Sequence, residues 1–256
     1  MGGPRRRGRF RLPARPEGVT ADQVYGRRAV REALRGPREV LELWATERAL
    51  AAEPWLNEPR PGIRSKVMAE RVLTEKVGTR DHQGVVAKVA PYRYADAYEL
   101  AQRPTPLLVC LDRVTDPRNL GAVARSAEGA GATGIVVPAH GSAMVTPAVC
   151  RSSAGAVEHV PIAVVQNLAR YLGEVKGPDL WVYGAAGESG KPMWETDLTG
   201  GAAIVFGAEG RGLRPLVRRT CDELVSIPLA GTVESLNVSV AAAVLLYEAR
   251  RQRTSG

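Results

Sequence analysis

The sequence predicts an α/β protein in which a helix-covered parallel sheet fills the second half and a small α/β unit precedes it. Three observations carry this. After residue 106, apolar runs of strand length recur, continuous rather than alternating and separated by helical stretches, as expected of strands buried on both faces. Pro91, Pro104 and Pro106 mark a break before those runs. Finally, 256 residues that are 45% apolar and 24% charged suit one large or two modest domains, and exclude fibres, repeat arrays and wholesale disorder.

Residues 1–20 are Arg, Gly and Pro without apolar periodicity and predict a flexible arm. Val24, Ala29, Val30, Ala33 and Leu34 fall at helical spacing, ended by Gly36-Pro37, and 40–44 reads as a strand. A helix over 65–77 and a strand over 84–89 complete a unit at 21–92. Residues 93–105 read as a linker and 106–256 as the main domain, with strands over 107–111, 134–137, 160–165, 180–183, 202–206 and 224–229. A helix over 238–251 closes the chain, its last cations matching the negative end of the helix dipole.

Charge is unevenly placed. The net +8 arises from six arginines against Glu17 in residues 1–18, and from 15 basic and 12 acidic residues in 19–105; residues 106–256 carry 14 of each. Arginine supplies 30 of the 35 cations, which suits bidentate phosphate binding, although a high-GC genome gives the same bias.

Several classes are excluded. No run approaches the roughly 20 apolar residues of a membrane span, and the cationic start has no apolar stretch of a secretory signal behind it. Cys110, Cys150 and Cys221 are odd in number and far apart, against a disulfide framework or zinc site, so a reduced, cytoplasmic setting and no metal are expected. His82, His140 and His159 are equally scattered. Residues 187–192 mimic the tail of a phosphate-binding loop, but Ala185 and Pro192 replace its required glycine and hydroxyl, so a turn is expected. The glycines at 207, 210 and 212 do not have dinucleotide-binding spacing.

Three polar segments remain, each directly after an apolar strand, where α/β sheets bind ligands. The first is Asp116-Pro117-Arg118-Asn119-Leu120-Gly121-Ala122-Val123-Ala124-Arg125, with Asn119 expected to cap the following helix and Arg125 near its start. In the second, Phe206-Gly207-Ala208-Glu209-Gly210-Arg211-Gly212, glycines permit tight turns and Glu209 offers an acceptor. The third runs from Ile227-Pro228 through Ser235-Leu236-Asn237-Val238-Ser239, a small polar stretch able to fold over a ligand.

In this order and spacing the segments resemble the three motifs of the SpoU (TrmH-like) family of S-adenosylmethionine-dependent RNA ribose 2′-O-methyltransferases. The resemblance covers 106–256 and extends upstream, where Val24-Tyr25-Gly26-Arg27-Arg28-Ala29-Val30 and His82-Gln83-Gly84-Val85-Val86-Ala87 are similar to the accessory RNA-binding domain of the branch that methylates guanosine in 23S rRNA. That branch often has His where Arg118 stands and Met where Leu229 stands.

The resemblance implies a SPOUT-type methyltransferase domain whose sheet is threaded into a trefoil knot, a homodimer, and S-adenosyl-L-methionine held by Gly207, Ile227 and Leu236. It assigns catalysis to Arg125, helped by Asn119, Glu209, Ser235 and Asn237. Guanidinium is normally a donor only. Arg125 therefore either becomes a base through desolvation and neighbouring cations, or stays charged and anchors the adjacent phosphate while water takes the proton. The same motifs also fit a tRNA or antibiotic-resistance rRNA 2′-O-methyltransferase, and the fold alone fits a non-catalytic ribosome-assembly factor.

Deleting residues 1–18 is expected to weaken RNA affinity and flatten its dependence on salt, because six arginines release counterions from phosphates. An unchanged affinity and slope in a salt-titrated binding assay would remove the arm from RNA recognition.

Overall fold

The computed structural model describes residues 22–187, 190–208, 210–232 and 235–254, and the expected arm lies outside them. The first unit comprises β1 (Asp22–Tyr25), α1 (Arg27–Arg35), β2 (Val40–Ala45), α2 (Glu47–Ala52), β3 (Arg64–Val67), α3 (Glu70–Val77) and β4 (Val85–Val89). Its sheet has the order β1-β4-β2-β3, with only β2 and β3 parallel. Two expectations change here. Val24 belongs to a strand paired with β4, because the helix starts only after Gly26; and 64–67 pairs with β2, so the helix expected over 65–77 begins at Glu70.

The stretch read as a linker carries α4 (Ala97–Ala101), capped by Asp96, which accepts from the Tyr98 and Glu99 amides. Ala97 and Leu100 are buried, and the Ala95 amide donates to the Ile162 carbonyl, so this segment is packed onto the larger sheet.

The second half contains β5 (Leu107–Asp112), α5 (Pro117–Ala130), β6 (Gly134–Pro138), α6 (Pro147–Ser152), β7 (Ile162–Val165), α7 (Leu168–Val175), β8 (Trp181–Ala185), β9 (Lys191–Pro192), β10 (Ala202–Gly207), α8 (Pro215–Thr220), β11 (Glu223–Ser226) and α9 (Val238–Thr254). The sheet order is β7-β6-β5-β10-β8-β11-β9 and every pairing is parallel. This is the parallel α/β sheet the apolar runs predict. Residues 227–229 leave the sheet rather than extend β11, and the stretch mimicking a phosphate loop is structural: Lys191–Pro192 pairs with β11, and Ser226 Oγ donates to the Gly190 carbonyl.

Strand alternation divides the interior. Leu107, Val109 and Leu111 with Ala202, Ile204 and Phe206 face one layer, which includes α5 and α9; Leu108, Cys110, Ala203 and Val205 face the layer of α7 and α8. The first layer continues without a break into the smaller unit, through Val24, Ala29, Val30 and Ala33 beside Val149, Cys150 and Val157. The two sheets therefore share one apolar core.

At the rim of that shared core, Arg38 forms a buried ion pair with Glu158; the guanidinium also faces the Tyr92 ring and lies 3.5 Å from Cys150 Sγ. Burial pushes the Cys150 thiol up to about 11, so it stays protonated at neutral pH. The Tyr92 hydroxyl donates to the Val157 carbonyl, and His159 meets Glu32 at 2.9 Å.

Arg38→Ala strands a carboxylate whose side chain is 1% exposed. A loss of about 3–5 kcal/mol in urea unfolding is expected, with much of it recovered when Glu158→Leu is combined with Arg38→Met. A loss below about 1 kcal/mol would show that the pair does not hold the seam.

Candidate active site

The site lies at the carboxyl ends of the central strands. β5 and β10 pair in register up to Asp112 and Gly207, so both segments leave the sheet side by side. Between them opens a cleft of about 660 Å³, lined by residues from the β5–α5 turn, the segment after β10 and the start of α9.

Asp112 is 1% exposed at the end of an otherwise apolar strand. Its carboxylate accepts from the Arg214 amide at 2.9 Å and from Arg214 Nε at 2.6 Å, fastening the far end of the 207–214 turn over β5. Within that turn Ala208 bridges Gly212, and a Cβ at Gly207 would collide with the Gly212 and Leu213 backbone. Glycine is required there by the chain's own close approach. Glu209 lies outside the described residues.

Asn119 does not cap α5. Asp116 does, accepting from the Arg118 amide at 2.8 Å, with Pro117 at the first helical position and Asn119 inside the first turn. Hydrogen bonds from the Arg118 guanidinium and amide hold the Asp116 carboxyl below the usual carboxylate range. The departure at Arg118 is thus tied back to the cap. Gly121, one turn on, lies against Ser152 of α6, where a Cβ would overlap the Ser152 hydroxyl.

Asn119 instead accepts from Asn237 Nδ2 at 3.1 Å. Asn237 also caps α9, its Oδ1 accepting from the Ser239 amide at 2.8 Å and the Ser239 hydroxyl at 2.6 Å. These two predicted site residues are therefore joined, and both flank the cleft. Arg125 is the ninth residue of α5 rather than near its start; it is exposed and outside the cleft lining.

Ile227 follows β11 directly and is half-buried, whereas Ser235 and Leu236 are exposed just before α9. β11 and β5 are three strand positions apart, about 14 Å. The segment joining Ile227 to Asn237 therefore has its described ends on opposite sides of the β8 and β10 positions, Asn237 being bonded to Asn119 after β5. It carries Leu229 and Leu236, both more than a third exposed. Exposed apolar side chains here suit packing against a flat purine. Among the described residues no cluster of His, Cys, Asp or Glu could hold a metal.

Residues 106–247 match the SpoU rRNA methylase family, and residues 23–95 match the substrate-binding domain of RNA 2′-O-ribose methyltransferases. This chain belongs to the SpoU family. The SpoU relatives include the 23S rRNA (guanosine-2′-O-)-methyltransferase RlmB of Vibrio cholerae, 43% identical over 92% of this chain and 98% of that protein. RlmB of Pseudomonas syringae is 43% identical over 91% and 97%. Among solved SpoU structures, AviRb of Streptomyces viridochromogenes in complex with the cofactor AdoMet superposes with a TM-score of 0.76 at 30% identity, covering 93% of this chain and 92% of that one.

Sequence reading missed Asp112 and Arg214. The signal was present: an acidic residue closing an apolar strand, and an arginine immediately before a helix-opening proline. Asp112→Asn removes the charge from a buried hydrogen-bonded pair and is expected to lower stability by about 1–3 kcal/mol and loosen the 207–214 turn. Thermal melting and hydrogen exchange at Gly212 and Arg214 check this; unchanged exchange would show that Asp112 does not fasten the turn.

Proposed function

We propose that this SpoU methylase transfers the methyl group of S-adenosylmethionine to the ribose 2′-hydroxyl of a guanosine in 23S rRNA. The observation that carries the substrate is the presence of both parts in one packed body: the smaller sheet shares its core with the methylase sheet. The relatives named for 23S rRNA guanosine match nearly the whole chain. By contrast, a structure described as acting in 2-OH methylation of C/U34 on tRNA covers only 60% of this chain, with a TM-score of 0.54 at 29% identity.

Bound S-adenosylmethionine supplies a methyl carbon on a positively charged sulfur, open to in-line attack. The remaining task falls to the chain's own residues. Gly207, Ile227 and Leu236 form the cofactor cradle, largely through backbone groups and apolar packing. Asn119 and Asn237 bind each other at the cleft and tie the first turn of α5 to the start of α9 beside the reacting ribose, with Ser235 and Glu209 assigned to assist. Arg125 presents its guanidinium fork on the exposed face of α5, where it grips the phosphate beside the reacting hydroxyl and steadies charge developing on oxygen.

The division into an arm at 1–20, an accessory RNA-binding domain at 21–92, a connector at 93–105 and a methyltransferase domain at 106–256 belongs to the same reading, as does trefoil threading of the carboxyl-terminal segment. So does a homodimer. Val240 and Tyr247 lie two turns apart on α9 and are about half exposed, an apolar stripe suited to a second copy. Val240→Arg with Tyr247→Arg is expected to halve the mass measured by light scattering; an unchanged mass would remove α9 from any interface.

Arg125→Lys is expected to lose at least about 100-fold in methyl transfer while retaining cofactor affinity, because an ammonium cannot reproduce a planar fork. Transfer from labelled cofactor to 23S rRNA, with mapping of the modified nucleotide, checks activity and substrate together. Full activity of the variant would sink the role of Arg125, and a label outside 23S rRNA would sink the substrate.

A further inference from the structure

Arg151 stands at the seam between the two sheets and has no role in the sites described above. Its Nε donates to the Asp81 carbonyl at 3.3 Å, and a Cβ at Gly26 would sit 2.6 Å from its Cδ, so the side chain lies across the amino end of α1. The next residue faces the methylase half: Ser152 Oγ donates to the Pro117 carbonyl at 3.2 Å and abuts Gly121. A single turn of α6 therefore separates the start of α1 from the first half of α5.

Cations mark both sides of this step. Arg27 and Arg28 occupy the first turn of α1, which holds no acidic residue, against the preference of a helix dipole. Arg27 is paired with Glu53 at 3.1 Å, whereas Arg28 is exposed. On the far side, Arg125 follows Gly121 by four residues and so lies on nearly the same face of α5. Arg151 is the midpoint of this series. Only its Nε is engaged in a hydrogen bond among the described residues, and to a neutral carbonyl, which leaves its two terminal nitrogens able to fork onto an anion.

We propose that Arg151 is a substrate-positioning residue that holds a backbone phosphate of the RNA at the seam, delivering a strand bound along the start of α1 to the face of α5 that carries Arg125. This rests on the RNA-methylation reading above and adds to it the route of the strand between the two sheets. The occupant is a phosphodiester because the series is cationic, crosses the seam from α1 to α5 and leads to the residue assigned to the phosphate beside the reacting ribose. Asp81, whose carbonyl Arg151 holds, is adjacent to Arg80 in the chain, and the Glu158, Glu32 and Glu53 carboxylates nearby are engaged by Arg38, His159 and Arg27.

The test compares Arg151→Gln and Arg151→Lys in the full chain, using methyl transfer to a 23S rRNA transcript over a range of salt concentrations. Arg151→Gln is expected to raise KM for RNA about tenfold while kcat and cofactor affinity change less than about twofold. The slope of log affinity against log salt should fall by about 0.7–0.9, the value of one lost phosphate contact. Arg151→Lys should restore the slope and only part of KM, and both variants should melt near the wild type. An unchanged KM and slope in Arg151→Gln would overturn the proposal while leaving methyl transfer intact. Equal losses in both variants with lowered melting would also overturn it, by making Arg151 a structural tie. Absence of methyl transfer by the wild type would overturn both this proposal and the reading on which it rests.

Discussion

At the centre of the larger sheet, Leu107–Asp112 and Ala202–Gly207 pair in parallel with Asp112 opposite Gly207, so two segments distant in sequence emerge side by side. Everything at the cleft depends on that register. A one-residue slip of either strand would turn its Val109 or Ile204 from one apolar layer into the other, and would displace Asp112 from the Arg214 amide that donates to it. Both strands are buried along their length except at Gly207, so the apolar layers on either side resist such a shift. Packing of the two faces thus sets the position of a polar site that packing alone could not create.

The helix α5 converts this register into a site. Asp116 starts it, the absence of a side chain at Gly121 lets α6 cross closely, and Asn119 reaches α9 through Asn237. The last bond matters because Asn237 is also the cap of α9. One side chain therefore fixes where the final helix begins and ties that point to the helix after β5. The segment from Ile227 thus starts at β11 and ends at a point bonded to the helix after β5.

The accessory sheet is held by a different balance. A shared apolar core brings α1 against residues 149–158, and the Arg38–Glu158 pair sits at its rim with Tyr92 stacked beside it. A buried ion pair adds little net stability compared with apolar packing, but its geometry tolerates few alternatives. This fixes the direction of α1, whose arginine-bearing start then lies beside the α6 turn leading to α5. The arginines at the start of α1 thereby lie beside the methylase half, which is itself electrically balanced.

The parallel sheet, the order of its strands along the chain and the three polar segments were legible in the sequence, because strands buried on both faces must be continuously apolar and their ends must be polar. Local pattern misled where two structures share one spacing: Val24 matched a helical period but pairs with β4, and Asn119 had the chemistry of a cap while Asp116 had the position. The Asn119–Asn237 bond joins residues 118 apart, and neither residue's neighbours announce the other. The need for glycine at 207 was equally hidden, since the atoms that exclude a Cβ belong to Gly212 and Leu213 only after the turn has closed. By itself the sequence determined which segments would be strands and which residues could carry the chemistry. Only the tertiary structure decided which of them meet, because sheet register and close backbone approach depend on the simultaneous packing of distant parts of the chain.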